Sequence, residues 1–246
     1  MDRFLYVAMT GASETLRLQA TNNHNLANAS TVGFREDLAA FQTRNVVGPG
    51  FGTRAYATAG QNGWDSSHGA LQSTGRDLDV AVAGTGWIAV QGADGAEAYT
   101  RAGDLRLDAN GQLVNGAGRP VIGDGGPITV PPHSSLQVGV DGTISVVPLG
   151  QGPETLATVG RIKLVAPADA DLVKGEDGLF RLRDGGEAPA DANVRLSQGT
   201  LESSNVNVAD AMVRMIELSR QFEIEVKAMR TAEENGAAAS QLLRTS

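Results

Sequence analysis

Toward the C-terminus, apolar residues recur at alternating steps of three and four. Val208, Ala211, Met215, Leu218 and Phe222 are followed by Met229 and Ala232, with Met212, Ile216 and Val226 widening the stripe. This heptad-like seam, interrupted by Glu225 and Gly236, predicts one long amphipathic helix. Asn207, with Asp210 three residues on, supplies an N-cap and a carboxylate near the positive end of the helix dipole. Continued to Leu243, such a helix would be about 55 Å long at about 1.5 Å per residue. The N-terminal segment repeats the pattern with Leu5, Met9, Ala12, Leu16, Gln19, Asn23 and Leu26, and its seam turns polar toward the end. Stripes of this kind commonly mark ordinary core helices. Here the two helices stand at opposite ends of the chain with a β segment between them, so they can pair with each other. A stripe wider than a two-helix seam also calls for further neighbours.

Between the ends the period changes from helical to alternating. DVAVAG, WIAVQ, AYT, LRLD, QLV, RPVIG, PITV, LQVGV, TISVV, GRIKLVA, LFRLR and VRLSQ are short runs rich in β-branched residues. Asp94-Gly95, Asn110-Gly111, Asp141-Gly142, Asp177-Gly178 and Asp184-Gly185 fall between them and suit tight hairpin turns. All nine prolines and 28 of the 31 glycines lie within 36–199, which keeps helix breakers out of the ends. The expected fold class is therefore α+β. Residues 1–35 together with 200–246 form a coiled-coil-like helical assembly domain, and 36–199 an inserted, mainly antiparallel β barrel or sandwich. The β core is expected at about 76–135, with a second β subregion at about 136–199.

Composition narrows the function classes. With 20 basic against 28 acidic residues the net charge is −8, which offers no electrostatic footprint for phosphates, so nucleic acid is not an expected partner. No cysteine is present, which excludes disulfides and thiolate zinc sites. FLYVAM, residues 4–9, is too short for a signal peptide, and nothing approaches a membrane span, so a soluble chain is expected.

Candidate chemistry is sparse. Gly84-Thr85-Gly86 joins two strands and has Ala89 where a dinucleotide loop needs its third glycine. His24, His68 and His133 lack ligand-like spacing. Asp77 with Asp79, and Asp104 with Asp108 and Asn110, fall short of a calcium loop and read as hairpin ends and solvated turns. Glu233-Glu234 reads as a solvated helix face. No nucleophile, base and orienting group converge, so no catalytic, metal or cofactor site and no small-molecule substrate is expected.

The run NNHNLANASTVGF, residues 22–34, has no place in that chemistry. Its asparagines can close a helix, Asn28 in a left-handed conformation, while Asn23 and Asn25 satisfy backbone groups or neighbouring subunits. Gly33 gives the turn that lets Phe34 anchor the departing chain. NLANASTVGFR resembles the asparagine-rich motif that closes the N-terminal helix of bacterial flagellar rod and hook proteins. Asn25, Leu26, Ala27, Asn28, Thr31, Gly33, Phe34 and Arg35 match that pattern, and His24 stands where it usually has asparagine. TGRDLDVAVAGTGWIAVQ, AYTRAGDLRLDANGQLV and GPITVPP resemble the family's β domain, and GTLESSNVNVADAMVRMIELSRQFE its C-terminal helix. MDRFLYVAMTGA and RQFEIEVKAMRTAEENGAAASQLL are similar to the proximal rod members rather than the distal rod or hook.

The resemblance implies a structural subunit of the proximal rod in the flagellar basal body, part of the shaft that transmits torque across the periplasm. It implies export through the flagellar type III apparatus without a cleaved signal, and partners that are copies of itself and other rod proteins. Expected subunit contacts are Leu5, Met9, Ala12, Leu16, Asn23, Asn25, Leu26, Asn28, Thr31, Gly33 and Phe34 at the N-terminal end. At the C-terminal end they are Val208, Ala211, Met215, Leu218, Phe222, Met229 and Ala232. Two other readings stand beside it. An enzyme would need a pocket with convergent polar groups. A secreted β-rich carbohydrate-binding or adhesive module would need exposed aromatics, and Trp64 and Trp87 are the only tryptophans in a chain with 4% aromatic residues.

Overall fold

The computed structural model describes residues 2–45, 55–150, 152 and 155–244. Two helices frame the chain, α1 (Asp2–Ala27) and α2 (Val208–Arg244). The N-cap of α2 is the expected one: Asn207 Oδ1 accepts the Ala209 amide at 3.1 Å, and its Nδ2 donates to Asp210 at 2.7 Å. The helix continues through Gly236, a residue that weakens helices without ending them.

The chain divides into two compact units. The first comprises Met1–Ala29, Glu36–Asp65 and Val206–Ser246; the second comprises Ser30–Arg35 and Ser66–Asn205. This differs from a division at 35/36 and 199/200. The helical unit contains a hairpin, β1 (Asp37–Asn45) and β2 (Ala55–Trp64), paired antiparallel from Asp37↔Trp64 to Asn45↔Ala55 with a register shift between Leu38 and Ala39. Alanine, threonine and glycine are nine of the pair's nineteen residues, and no alternating apolar pattern announces it.

Among the described residues the β unit has sixteen strands. In chain order they are β3 (Leu71–Ser73), β4 (Val80–Ala83), β5 (Trp87–Gln91), β6 (Glu97–Thr100), β7 (Arg106–Leu107), β8 (Leu113–Val114), β9 (Ile122–Gly123) and β10 (Gly126–Pro127). There follow β11 (His133–Val138), β12 (Thr143–Pro148), β13 (Ala157–Arg161), β14 (Leu164–Val165), β15 (Leu172–Lys174), β16 (Phe180–Leu182), β17 (Arg195–Gln198) and β18 (Thr200–Glu202). All pairings are antiparallel. The largest sheet has the order β14-β5-β6-β16-β15, the next β11-β12-β13, and the remaining strands form two-stranded ribbons. Each predicted strand falls on or overlaps one of these, and the five Asx-Gly dipeptides occupy the intervening turns. Of the expected barrel or sandwich, no closed barrel is formed: among the described residues no sheet closes on itself.

One apolar cluster serves the whole β unit. It runs from Val80 to Leu196, and Ile88, Val90, Ala98, Leu105, Leu113, Val121 and Ile144 within it are inaccessible to solvent. Leu136, Val138, Ile144 and Val146 belong to it, so residues beyond 135 share a core with those before. Each large apolar side chain buried there contributes about 1.5–3 kcal/mol.

Candidate assembly surface

The helical unit is built on an antiparallel pairing of α1 with α2. Gly11 lies beside Glu225, whose carboxylate would be 2.7 Å from a Cβ at that position, and Asn22 Nδ2 donates to the Ala211 carbonyl at 2.8 Å. Among the described side chains of α1 the buried ones are Ala8, Ala12, Glu14, Thr15, Asn22 and Asn25. These are small or polar. The stripe expected to be the seam shares only Ala12 with them, while Leu5, Met9 and Leu16 are exposed, Met9 at 52% and Leu16 at 49%. The seam of α1 is thus displaced by one position from the expected one. On α2 the expected stripe faces inward except at its start: Val208 is exposed, Ala211 and Leu218 are buried, and Met215, Phe222, Met229 and Ala232 are half-buried.

Among the charged residues that remain outside on α2 stand several large apolar ones. Val208, Met212, Val213, Ile216 and Ile224 on α2 are all exposed, Ile216 at 55% and Ile224 at 68%. Val208, Met212 and Ile216 follow one another at i, i+4, the kind of ridge that packs into the groove of another helix, and Arg220 comes next in the row before Ile224. Leu5, Met9 and Leu16 similarly fall on one side of α1. An exposed apolar ridge on a helix already paired through its other face is a surface that gains from burial.

The asparagine run closes α1 by bonds within the chain. Asn25 is 2% exposed; its Nδ2 donates to Asp37 O at 2.9 Å and its Oδ1 accepts Asp37 N–H at 2.9 Å. One amide thereby satisfies both backbone groups at the start of β1. His24, in the position where asparagine was expected, bonds Asp37 Oδ2 through Nδ1 at 2.8 Å. Asn28 folds back on the last turn, its Nδ2 donating to His24 O at 2.9 Å. Its expected left-handed conformation is not adopted: no non-glycine residue among those described has positive φ, and Asn28 ends the helix through these back-bonds instead. Asn23 is exposed, and Leu26 half-buried.

Asn22, Asn25, Asp37, Arg214, Glu217 and Leu218 are among the residues lining a groove of about 290 Å³ in this unit. Nearby, burial pushes the Glu36 carboxyl above its ordinary range; Arg214 opposes the shift, and Asp65, Asp210 and Asp37 add to it.

The end of the motif belongs to the β unit. Gly33 has φ +66° and no room for a Cβ against the Arg101 backbone, so only glycine fits. Thr31 is exposed, and its carbonyl accepts the Phe34 amide at 3.3 Å. Phe34 is buried beneath Lys174 Nζ, 3.9 Å from the ring centroid, and so is anchored as expected.

Arg35 leads to a cluster that the sequence reading did not identify. Its guanidinium, 1% exposed, lies 2.7 Å from Glu202 Oε1, and Glu202 Oε2 is 3.1 Å from Arg101 Nη1. His68 Nδ1 is 3.1 Å from Arg35 Nη2 and 3.2 Å from Arg101 Nη2, so two donors leave it the acceptor role. Burial draws Arg101 down to about 10, with Glu202 opposing and Arg35 adding to the effect, and the guanidinium remains charged at neutral pH. Residues 35, 101 and 202 are too far apart in sequence for any local pattern to pair them.

The residues weighed for chemistry have structural work. Asp79 accepts from Thr74 Oγ1 at 2.7 Å and pairs with Arg76 at 3.0 Å. Asp108 Oδ1 accepts the amides of Asn110 and Gln112 at 2.8 and 2.7 Å. Trp87 is buried against Phe180, with ring centroids 4.4 Å apart. Among the described residues no helix is long and apolar enough to cross a membrane.

Comparison with known proteins matches both kinds of segment. Residues 197–242 match the family model "Flagellar basal body rod FlgEFG protein C-terminal", and residues 81–146 match "Flagellar hook protein FlgE/F/G D1 domain". The chain is 45% identical over 252 residues to the flagellar basal-body rod protein FlgF of Salmonella typhimurium, covering 100% of both chains. It is 44% identical to FlgF of Escherichia coli K12 with the same coverage. To the rod protein FlgG of Bacillus subtilis it is 34% identical, over 95% of this chain and 96% of that one. The chain belongs to the flagellar basal-body rod protein family.

Proposed function

We propose that this rod subunit takes a place in the proximal rod and assembles through the outward faces of its two helices. Leu5, Met9 and Leu16 on α1, and Val208, Met212, Ile216 and Ile224 on α2, pack against copies of the chain and other rod proteins. The observation that carries this reading is the distribution of side chains in the helical unit. Small and polar residues fill the α1 side of the pairing while larger apolar ones are left outside, the reverse of a self-sufficient helix hairpin. Ala12, Ala211 and Leu218 serve the pairing itself, and Asn25, Gly33 and Phe34 hold the chain where α1 ends. Export through the flagellar type III apparatus and transmission of torque follow from membership in a shaft. A carbohydrate-binding role would require aromatic surface, and Trp87 is enclosed against Phe180.

The test is Ile216→Asp. The substitution sits on exposed surface, so the exported chain should fold as before. Completed basal bodies should fall to background, because a carboxylate buried at a subunit contact is left unpaired. Normal numbers of complete rods with Ile216→Asp would remove the α2 ridge from the interface.

A further inference from the structure

The chain crosses between its two units at 29/30, 35/36, 65/66 and 205/206. On the β unit's side, every segment next to a crossing is bonded into the cluster around Glu202. The Glu202 carbonyl accepts the Gly33 amide at 2.8 Å, and its Oε1 accepts the Gly69 amide at 3.1 Å. Arg35 Nη1 donates to the Ser67 carbonyl. Asn205 completes the set: its amide donates to Phe34 O at 3.3 Å and its Nδ2 to Ser67 O at 3.1 Å. Lys174 Nζ donates to the Arg35 carbonyl at 2.7 Å. Arg101 ties the cluster to the sheet behind it, through the Val82 carbonyl at 3.1 Å and the Gly84 carbonyl at 2.6 Å, with Trp87 5.5 Å beneath the guanidinium. Side chains at Gly33 and Gly69 would collide with the Arg101 and Ser203 backbones, so both segments lie flush against their neighbours.

An apolar plug could fill this volume at lower desolvation cost, since buried ion pairs give little net stability over well-packed hydrophobics. What two guanidiniums and one carboxylate add is direction: several geometrically fixed bonds to separate backbone segments. We propose that Arg35, Glu202 and Arg101 form a clamp fastening segments 33–35, 66–69 and 202–205 to the β unit, so that force carried along these segments does not peel them away. The residues are positioning residues for torque transmission. The force-carrying part rests on the rod reading above; the fastening does not.

Two measurements separate these parts. In the first, hydrogen exchange on the purified full-length chain follows the Gly33, Gly69 and Asn205 amides in Glu202→Gln and Arg101→Lys. Glu202→Gln strands two buried cations, and exchange at the three amides should rise on the order of a hundredfold. Arg101→Lys keeps the charge but loses the fork, and the rise should be on the order of tenfold. Core amides such as Ala89 and Leu113 should stay within about twofold, whereas in a core variant, Ile144→Val, any acceleration should reach core amides as well as these three. If Glu202→Gln fails to fold, Arg101→Lys carries the test. Uniform acceleration across clamp and core, or none at the three amides, overturns the clamp.

In the second, cells carrying Arg101→Lys should swim normally in dilute medium and stall at lower viscosity than wild type, and Ile144→Val cells should not. Equal stalling viscosity for Arg101→Lys and wild type overturns the force-carrying role. Complete rods in a strain lacking the chain would instead sink the rod reading, and the exchange result would still decide the fastening.

Discussion

The two units solve opposite problems with the same chain. In the β unit, Ile88, Val90, Leu105, Leu113 and Ile144 are fully enclosed in one continuous core. In the helical unit the α1 side of the seam is Ala8, Ala12, Thr15 and Asn22, while Met9, Leu16, Met212, Ile216 and Ile224 face outward. A unit that buries its large apolar residues is stable alone; a unit that displays them acquires part of its stability from neighbours. On the proposed function, the difference puts folding in one region and assembly in the other.

The comparison is broken most readily by truncating one side chain in each unit. Leu113→Ala, in the enclosed core, should destabilise the β unit by about 2–5 kcal/mol. Leu16→Ala, half exposed on α1, should change the stability of the isolated chain by no more than about 0.5 kcal/mol and yet reduce the yield of complete rods. Thermal unfolding of purified variants alongside counts of basal bodies checks both, and a large stability loss from Leu16→Ala would mean that its surface is already used within the chain.

Asn25 sharpens the contrast, because it joins α1 to the hairpin by a side chain rather than by core packing. Asn25→Ala leaves the Asp37 amide without its partner and should cost the helical unit about 1–3 kcal/mol. Asn28→Ala loses one back-bond at a half-exposed helix end and should cost about 1 kcal/mol or less. Asn193→Ala, in an exposed turn, should be within about 0.5 kcal/mol of wild type. Chemical denaturation followed by helical circular dichroism ranks the three, and an Asn28 effect larger than that of Asn25 would invert the account of the motif.

How much of this the sequence disclosed follows the same division. Strands such as WIAVQ and TISVV were legible because alternation and β-branching coincide with flanking Asx-Gly turns. The hairpin of β1 and β2 was not, since DLAAFQTRN and AYATAGQNGW carry neither period. The α2 seam was legible because its inward stripe is also its most regular one. On α1 the eye follows Leu5, Met9 and Leu16, large residues on the outer face, while the inner face is marked only by alanine, threonine and asparagine. Arg35, Arg101 and Glu202 meet through tertiary folding alone, and no window of sequence contains them together.

The smallest expected effect concerns pH, and its sign differs between the units. Hydrogen bonds from Thr143 hold Asp141 below its ordinary 3.8, and the Arg181 hydrogen bond does the same for Asp177. Carboxyls lowered by folding contribute stability above the ordinary value, which is lost as pH falls through the depressed one. Glu36 is raised above 4.5, mainly by burial. Its contribution is present below 4.5 and is lost as pH rises through the raised value. Amide protection in the helical unit, taken relative to the intrinsic exchange rate at each pH, should therefore rise slightly on acidification toward 4.5, while turns at Asp141 and Asp177 in the β unit should lose protection only below 3.8. A common pH profile for both units would show that these carboxyls do not govern either.

The central claim, that the outward helix faces are the subunit contacts, is tested most directly by cysteine accessibility in a chain that has no cysteine of its own. Leu16→Cys and Ile216→Cys would be labelled with a maleimide in the purified chain and in isolated basal bodies, with Val140→Cys, exposed on the β unit, as the reference. All three should label rapidly in the purified chain, and positions 16 and 216 should be protected relative to 140 in basal bodies. Labelling of positions 16 and 216 in basal bodies as fast as in the purified chain would contradict that claim.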